Sequence, residues 1–157
     1  GAPEFSKEDH LYAKKYQDTL TRKDIESAYS NAGIDLVEGQ VLAETVVAGD
    51  VKPVDMGGST DVADVSWVVP TVSLWGANYA IGTPFHSWQM TAQGKSSIAI
   101  KGMTHAAMVM AATGSDLITN KKILADAWKE HNITIKRNAY VSPISPSASP
   151  PIKDMAP

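Results

Sequence analysis

The segment from Ser96 to about Leu117 restricts the fold most, because its helical periodicity continues over more than twenty residues. The apolar side chains of this segment recur at steps of three and four, with many alanines between them: Ile100, Met103, Ala107, Met110, Ala111 and Leu117. That spacing predicts one long helix with a closely packed apolar face. We expect this helix to cover a sheet.

A nearly apolar run from Val65 to Trp75 predicts a strand of that sheet. The run is rich in β-branched and aromatic residues, as a strand covered on both faces would be, and Pro70 restricts it to an edge or an interruption. The β-branched residues of segment 41–54 add one or two short strands around a turn. We therefore predict an α/β fold, in which a short mixed sheet is covered by helices.

Capping residues predict three further helices. A serine or threonine is followed three residues later by aspartate at Ser6 and again at Thr21, which predicts a helix over about 7–20 and a short second helix ending near Gly33. Asn120 is suited to cap a last helix. We expect one domain over residues 1–141, followed by a proline-rich extended tail over 142–157.

The composition excludes several classes of protein. With 17 acidic and 14 basic residues the net charge is -3. The sequence contains no long basic run that would suggest nucleic acid as a partner. The absence of cysteine leaves histidine, aspartate and glutamate as the possible metal ligands. No apolar run approaches the roughly 20 residues that cross a bilayer, and the first residues do not resemble a signal sequence. We expect a soluble, cytoplasmic protein that binds neither nucleic acid nor membrane.

The densest polar cluster consists of two segments on either side of the apolar run, GGSTDVADVSW at 57–67 and GTPFHSWQ at 82–89. His86 could ligate a divalent metal, and Asp61 or Asp64 could orient its ring. Plainer interpretations remain open, because a lone histidine beside Trp88 is often a structural residue. Asp61 could equally cap a turn or the next helix. Neither a serine-nucleophile elbow nor a complete phosphate loop is present.

Three segments together resemble a known family, since they follow one another in its order and spacing: MGGSTDVADVSWVVPT, GTPFHSWQ and AQGKSSIAIKGMTHAAMVMA. They are similar to the carboxy-terminal part of the p-aminobenzoyl-glutamate hydrolase group, within the metal-dependent aminoacylase and carboxypeptidase family. The resemblance runs from about Phe5 to the end of the chain and includes a Tyr140-x-x-Pro143-Ile144 segment.

The resemblance implies hydrolysis of the amide of p-aminobenzoyl-glutamate, or of related N-acyl amino acids or dipeptides. In this family two divalent metal ions, zinc or manganese, hold the attacking water, and a glutamate acts as general base. By resemblance His86 corresponds to the last metal ligand in the chain. Asp61 lies in the family's loop beside the active site, where it is expected to shape the site or to support a metal ligand.

This chain departs from the family pattern because the earlier metal ligands, a His-x-Asp pair, a Glu-Glu pair and one more, are missing. We therefore expect the isolated chain to be inactive and to bind metal weakly or not at all. Its expected partners are the missing amino-terminal half of the catalytic domain and, through an uncovered apolar surface, a second copy in a dimer. The alternative is a stand-alone binding or structural module that reuses half of the fold.

Overall fold

The computed structural model describes residues 1–47, 60–137 and 139–155. Within these ranges the regular secondary structure is entirely α-helical. The helices are α1 Lys7–Gln17, α2 Arg22–Ala32, α3 Val62–Val68, α4 Trp88–Gln93, α5 Ser97–Thr119, α6 Lys121–Arg137 and α7 Ile152–Met155.

The predicted α/β fold is wrong, because no strand or sheet occurs in the described part of the chain. The first four residues of the apolar run, 65–68, belong to α3, at whose end the Val69 N–H donates to the Val65 carbonyl at 3.1 Å. A strand needs a neighbouring backbone to form a ladder, and none of the described residues offers one to segment 69–75. Near the other predicted strands, Ile81 N–H donates to Val41 O at 2.9 Å, a single bond rather than a ladder. The remainder of segment 41–54, from residue 48, lies outside the described residues.

The helix predictions are confirmed, because the signals that start and end these helices are local. Ser6 and Thr21 both form a capping box, in which the hydroxyl accepts from the third helical N–H and the aspartate there accepts from the cap N–H. Gly33 ends α2 at a φ of 66°. Asn120 Oδ1 accepts from the N–H groups of Lys122 and Ile123 at 3.1 and 3.3 Å. Helix α5 matches the long predicted helix closely.

The chain divides into two compact units, of which the first comprises residues 1–59 and 72–119. Its core brings together the first helix, the segment after α2, the residues before α4 and the start of α5. The buried apolar members are Ala13, Val41, Leu42, Ala80 and Ile98, with Phe5, Tyr12 and Tyr16 packed against them. Through Ala80, this core includes the segment that precedes His86.

Gly102 allows α5 to pack closely on residues 77 and 78 of the first unit. A Cβ atom at this position would lie 2.0 Å from Asn78 Oδ1 and 2.5 Å from the Ala77 carbonyl oxygen. Because real Cβ atoms do not approach other atoms so closely, the contact requires glycine. Asn78 Oδ1 is itself buried and has no hydrogen-bond donor among the described residues.

The second unit comprises residues 60–71 and 120–157. Tyr140 links its parts, since the hydroxyl donates to Asp64 Oδ1 at 2.9 Å and the ring stacks on Trp67 with centroids 6.0 Å apart. In α6, Trp128 and His131 meet edge to face at 5.5 Å. None of the helices described in either unit combines the length and the apolar character that a membrane span requires.

Candidate functional site

His86 is exposed and lies in the connection between Ala80 and α4, in the first unit. Its backbone φ is 58°, and within the described ranges no other non-glycine residue has a positive φ. A residue with a Cβ atom loses about 1–2 kcal/mol in this left-handed conformation. Such conformations persist where the surrounding structure imposes them, and they concentrate at functional sites.

Hydrogen bonds on both sides of His86 impose the shape of this connection. Before it, Thr83 donates to the Ala80 carbonyl through its N–H at 3.1 Å and through its hydroxyl at 2.7 Å. After it, the Ser87 hydroxyl accepts from Met90 N–H at 3.2 Å and donates to the Pro84 carbonyl at 2.7 Å. The connection from Ala80 is therefore a structured loop up to Ser87, the N-cap of α4.

Gly82 fixes the entry to the same loop. Its φ is 91°, and a Cβ atom there would lie 3.0 Å from both the Cα and the Cγ1 of Ile25. The left-handed backbone and the close approach of α2 both require glycine here. The loop is consequently held against α2 as well as against α4.

Gln93 is the residue of this site that sequence reasoning missed. Its side chain is 0% exposed. The amide oxygen accepts from Ala80 N–H at 2.9 Å, while the amide nitrogen donates to Thr83 Oγ1 at 3.0 Å and to the Gln89 carbonyl at 3.1 Å. Two of its partners, Thr83 and Ala80, lie 10 and 13 residues earlier, so no local pattern indicates these contacts. The signal that could have helped is the Ser87 cap, since it predicts a helix that carries Gln93.

Exposed aromatic side chains flank His86 on both sides. Phe85 is 54% and Trp88 62% exposed, although each touches another ring. Phe85 lies against Trp75 with centroids 5.8 Å apart, and Trp88 lies 6.2 Å from Tyr16. His86 is itself exposed, and its neighbours in sequence, Phe85 and Trp88, add exposed aromatic surface on either side of it.

Asp61 lies in the second unit, immediately before α3, and is exposed. Asp61 occupies the N-cap position of that helix, where its backbone carbonyl accepts from Asp64 N–H at 3.2 Å, but its carboxylate makes no capping hydrogen bond. Asp64 accepts the Tyr140 hydroxyl, and that hydrogen bond raises the pKa of Tyr140. The glycines at 57 and 58 lie outside the described residues.

The chain is 38% identical over 164 residues to one of the subunits of the p-aminobenzoyl-glutamate hydrolase of Escherichia coli K12. This similarity confirms the resemblance predicted from the sequence. The alignment covers 98% of this chain but 34% of that relative, so the chain spans about a third of the relative's length. No protein-family model and no solved structure matches the chain.

The described residues do not by themselves fit a two-metal centre. In ranges 1–47, 60–137 and 139–155, no three histidine, aspartate or glutamate side chains are grouped so as to hold an ion. A divalent ion in a protein commonly needs three or four protein ligands. His86 is one suitable donor, and its assignment as a metal ligand stays a prediction.

Proposed function

We propose that this chain is a portion of a metal-dependent amidohydrolase that cleaves p-aminobenzoyl-glutamate, in which His86 is one of the metal ligands. The similarity to the p-aminobenzoyl-glutamate hydrolase of Escherichia coli K12, over 98% of the chain, carries the proposal. Related N-acyl amino acids and dipeptides are the alternative substrates. Two divalent ions, zinc or manganese, belong to the proposed intact enzyme.

The geometry around His86 supports this assignment. The side chain is exposed, so its nitrogens are accessible. Its left-handed backbone lies between two local hydrogen bonds, from the Thr83 hydroxyl to the Ala80 carbonyl and from the Ser87 hydroxyl to the Pro84 carbonyl. A strained backbone conformation that neighbouring residues impose is typical of a functional site, where the direction of the side chain matters. The structural alternative is a buried histidine that braces Trp88 and the loop.

The remaining metal ligands would come from polypeptide that this chain does not include. The chain spans 34% of the relative's length, and the relative's name, which makes it one subunit of a hydrolase, suggests a further subunit. Apolar side chains on α5 are exposed and would suit such a partner: Ile100, Met103, Met108, Met110 and Ile118. The proposal therefore includes an inactive isolated chain, self-association and a cytoplasmic location. Asp61 is proposed to shape the site once that partner is present.

The test is made in the complete protein that carries this segment. We expect it to release p-aminobenzoate from p-aminobenzoyl-glutamate, and we expect His86→Ala to lower turnover by at least about 100-fold and to reduce bound metal, as removal of a metal ligand should. His105→Ala, at a partly exposed histidine of α5, is the control and should retain activity. His86→Ala protein with normal metal content and turnover but a lower Tm would show that the histidine is structural. Activity on other amides, without activity on glutamate conjugates, would refute the substrate assignment.

A further inference from the structure

We infer that Gln93 is a positioning residue for His86: its buried amide closes the loop that holds His86 in the left-handed conformation. As a statement about metal binding, the inference rests on the proposed function. As a statement about the conformation of the loop, it concerns this chain alone. Neither the resemblance nor the relative's name assigns a role to this glutamine.

The Gln93 amide forms a closed ring of hydrogen bonds with the start of the loop. The amide oxygen accepts from Ala80 N–H, and the amide nitrogen donates to Thr83 Oγ1, which donates in turn to the Ala80 carbonyl at 2.7 Å. With Gln93 fully buried, water cannot replace a lost member of this ring. A substitution that removes the amide therefore leaves the Ala80 N–H without its acceptor and the Thr83 hydroxyl oxygen without its donor, while the Thr83 hydroxyl keeps its bond to the Ala80 carbonyl.

The ring also connects the two ends of the loop that contains His86. Thr83 lies at the beginning of that loop, whereas Gln93 lies on α4, which starts at the Ser87 cap directly after His86. The chain must therefore leave Thr83 and enter α4 within the three residues Pro84, Phe85 and His86. The positive φ of His86 falls within this short reversal. Without the Gln93 amide, Ala80 and Thr83 lose their direct link to α4. The local bonds of Thr83 and Ser87 then hold the reversal less firmly, and His86 can relax to an ordinary backbone conformation.

The first experiment measures the backbone of His86 in this chain by NMR. In Gln93→Met, we expect the three-bond HN–Hα coupling and Cα shift of His86 to lose their left-handed values and amide exchange across residues 80–87 to accelerate at least tenfold. Thr83→Val removes the hydroxyl from the same ring and should act alike, whereas Thr83→Ser should retain the native values. Tyr29→Phe is the control, since it removes a buried hydroxyl bonded to Gln40 Oε1 at 2.7 Å but lies outside the ring.

The second experiment uses the complete protein and measures metal affinity separately from stability. We expect Gln93→Met to raise the metal Kd by about 10–100-fold, the range typical of residues that support a ligand. Tyr29→Phe should leave the metal Kd unchanged even if its Tm falls as far as the Tm of Gln93→Met. Thr83→Ser should bind metal normally.

A native His86 backbone in Gln93→Met would overturn the inference, and so would an altered backbone with unchanged metal affinity. Should Gln93→Met fail to fold, the pair Thr83→Val and Thr83→Ser decides in the same way. Failure of the proposed function has a different signature, because His86→Ala would then retain metal. In that case the NMR measurements on this chain still decide whether Gln93 sets the conformation of His86.

Discussion

Asp9 is a buried carboxylate, 5% exposed, that accepts a hydrogen bond from Lys101 Nζ at 2.7 Å and another from Ser6 N–H at 2.9 Å. Burial opposes ionisation, but the hydrogen bonds from Lys101 and Ser6 outweigh it and lower the pKa of Asp9 to about 2. A lowered folded-state pKa stabilises the protein above the unfolded-state pKa, and this contribution is lost as the pH falls through the folded-state value.

We therefore expect the free energy of unfolding to fall by about 2 kcal/mol between pH 5 and pH 2 through Asp9 alone. Asp9→Asn should be less stable at pH 7 and should lack this part of the pH dependence. Urea unfolding of both proteins at several pH values measures the difference. Asp35→Asn serves as a control for the general effect of removing a carboxylate. Parallel pH profiles for the wild type and Asp9→Asn would refute the coupling.

The backbone of His86 supports a second prediction at the residue scale. Because a Cβ atom is unfavourable at a φ of 58°, His86→Gly should be more stable than His86→Ala by about 1 kcal/mol. Thermal unfolding of the two variants provides the measurement. At Ser115, an exposed position in the interior of α5, the same pair should show the opposite order, with alanine the more stable. Equal stabilities at position 86 would mean that the backbone there is relaxed in solution.

Helix α5 contains two glycines with opposite expected responses to alanine. At Gly102 a new methyl group would meet the Ala77 carbonyl oxygen at 2.5 Å, and backbone cannot move aside as a flexible side chain can. Gly102→Ala should therefore lower the free energy of unfolding by about 1–3 kcal/mol, the usual cost of overpacking. At Gly114 no atom lies within 4 Å of an added Cβ atom. Gly114→Ala should therefore raise the free energy of unfolding by about 0.5–1 kcal/mol through helix propensity.

Chemical unfolding of both single variants tests the packing of α5 on residues 77 and 78. A stabilising or neutral Gly102→Ala would contradict this packing directly. Gly114→Ala controls for the general effect of alanine in the same helix, so the difference between the two variants isolates the contact.

At the scale of the whole molecule, helix α5 exposes several large apolar side chains. Met103, Met108 and Met110 are each more than half exposed. Extended apolar surface of this kind commonly marks a site that another polypeptide covers. We therefore expect the isolated chain to self-associate reversibly at micromolar or higher concentration.

Sedimentation velocity over a range of concentrations measures this association. The double substitution Met103→Gln and Met110→Gln should shift the chain towards monomer without changing its helix content, because both positions are exposed and glutamine favours helices. Ser115→Gln, an exposed polar position on the same helix, should leave the association unchanged. A chain that stays monomeric throughout would refute the prediction.

The sequence by itself determined where several helices begin and end. The signals that begin and end these helices have partners within a few residues: the capping boxes at Ser6 and Thr21, the left-handed Gly33 and the Asn120 cap. They can therefore be recognised in the sequence without knowledge of the fold. Specific motifs in the right order likewise sufficed for the resemblance to the hydrolase group, and for identifying His86 as the residue to examine.

Only the tertiary structure decided that the apolar run forms no strand and how the loop around His86 is held. The residues from Val65 to Trp75 have strand propensity, but a strand forms only where another backbone can pair with it, and the described chain provides none. Gln93 forms hydrogen bonds with Ala80 and Thr83, which lie 13 and 10 residues earlier in the chain. Gly102 leaves room for the Asn78 side chain, which belongs to a distant segment. Such contacts depend on how the chain folds back on itself, which no local pattern specifies.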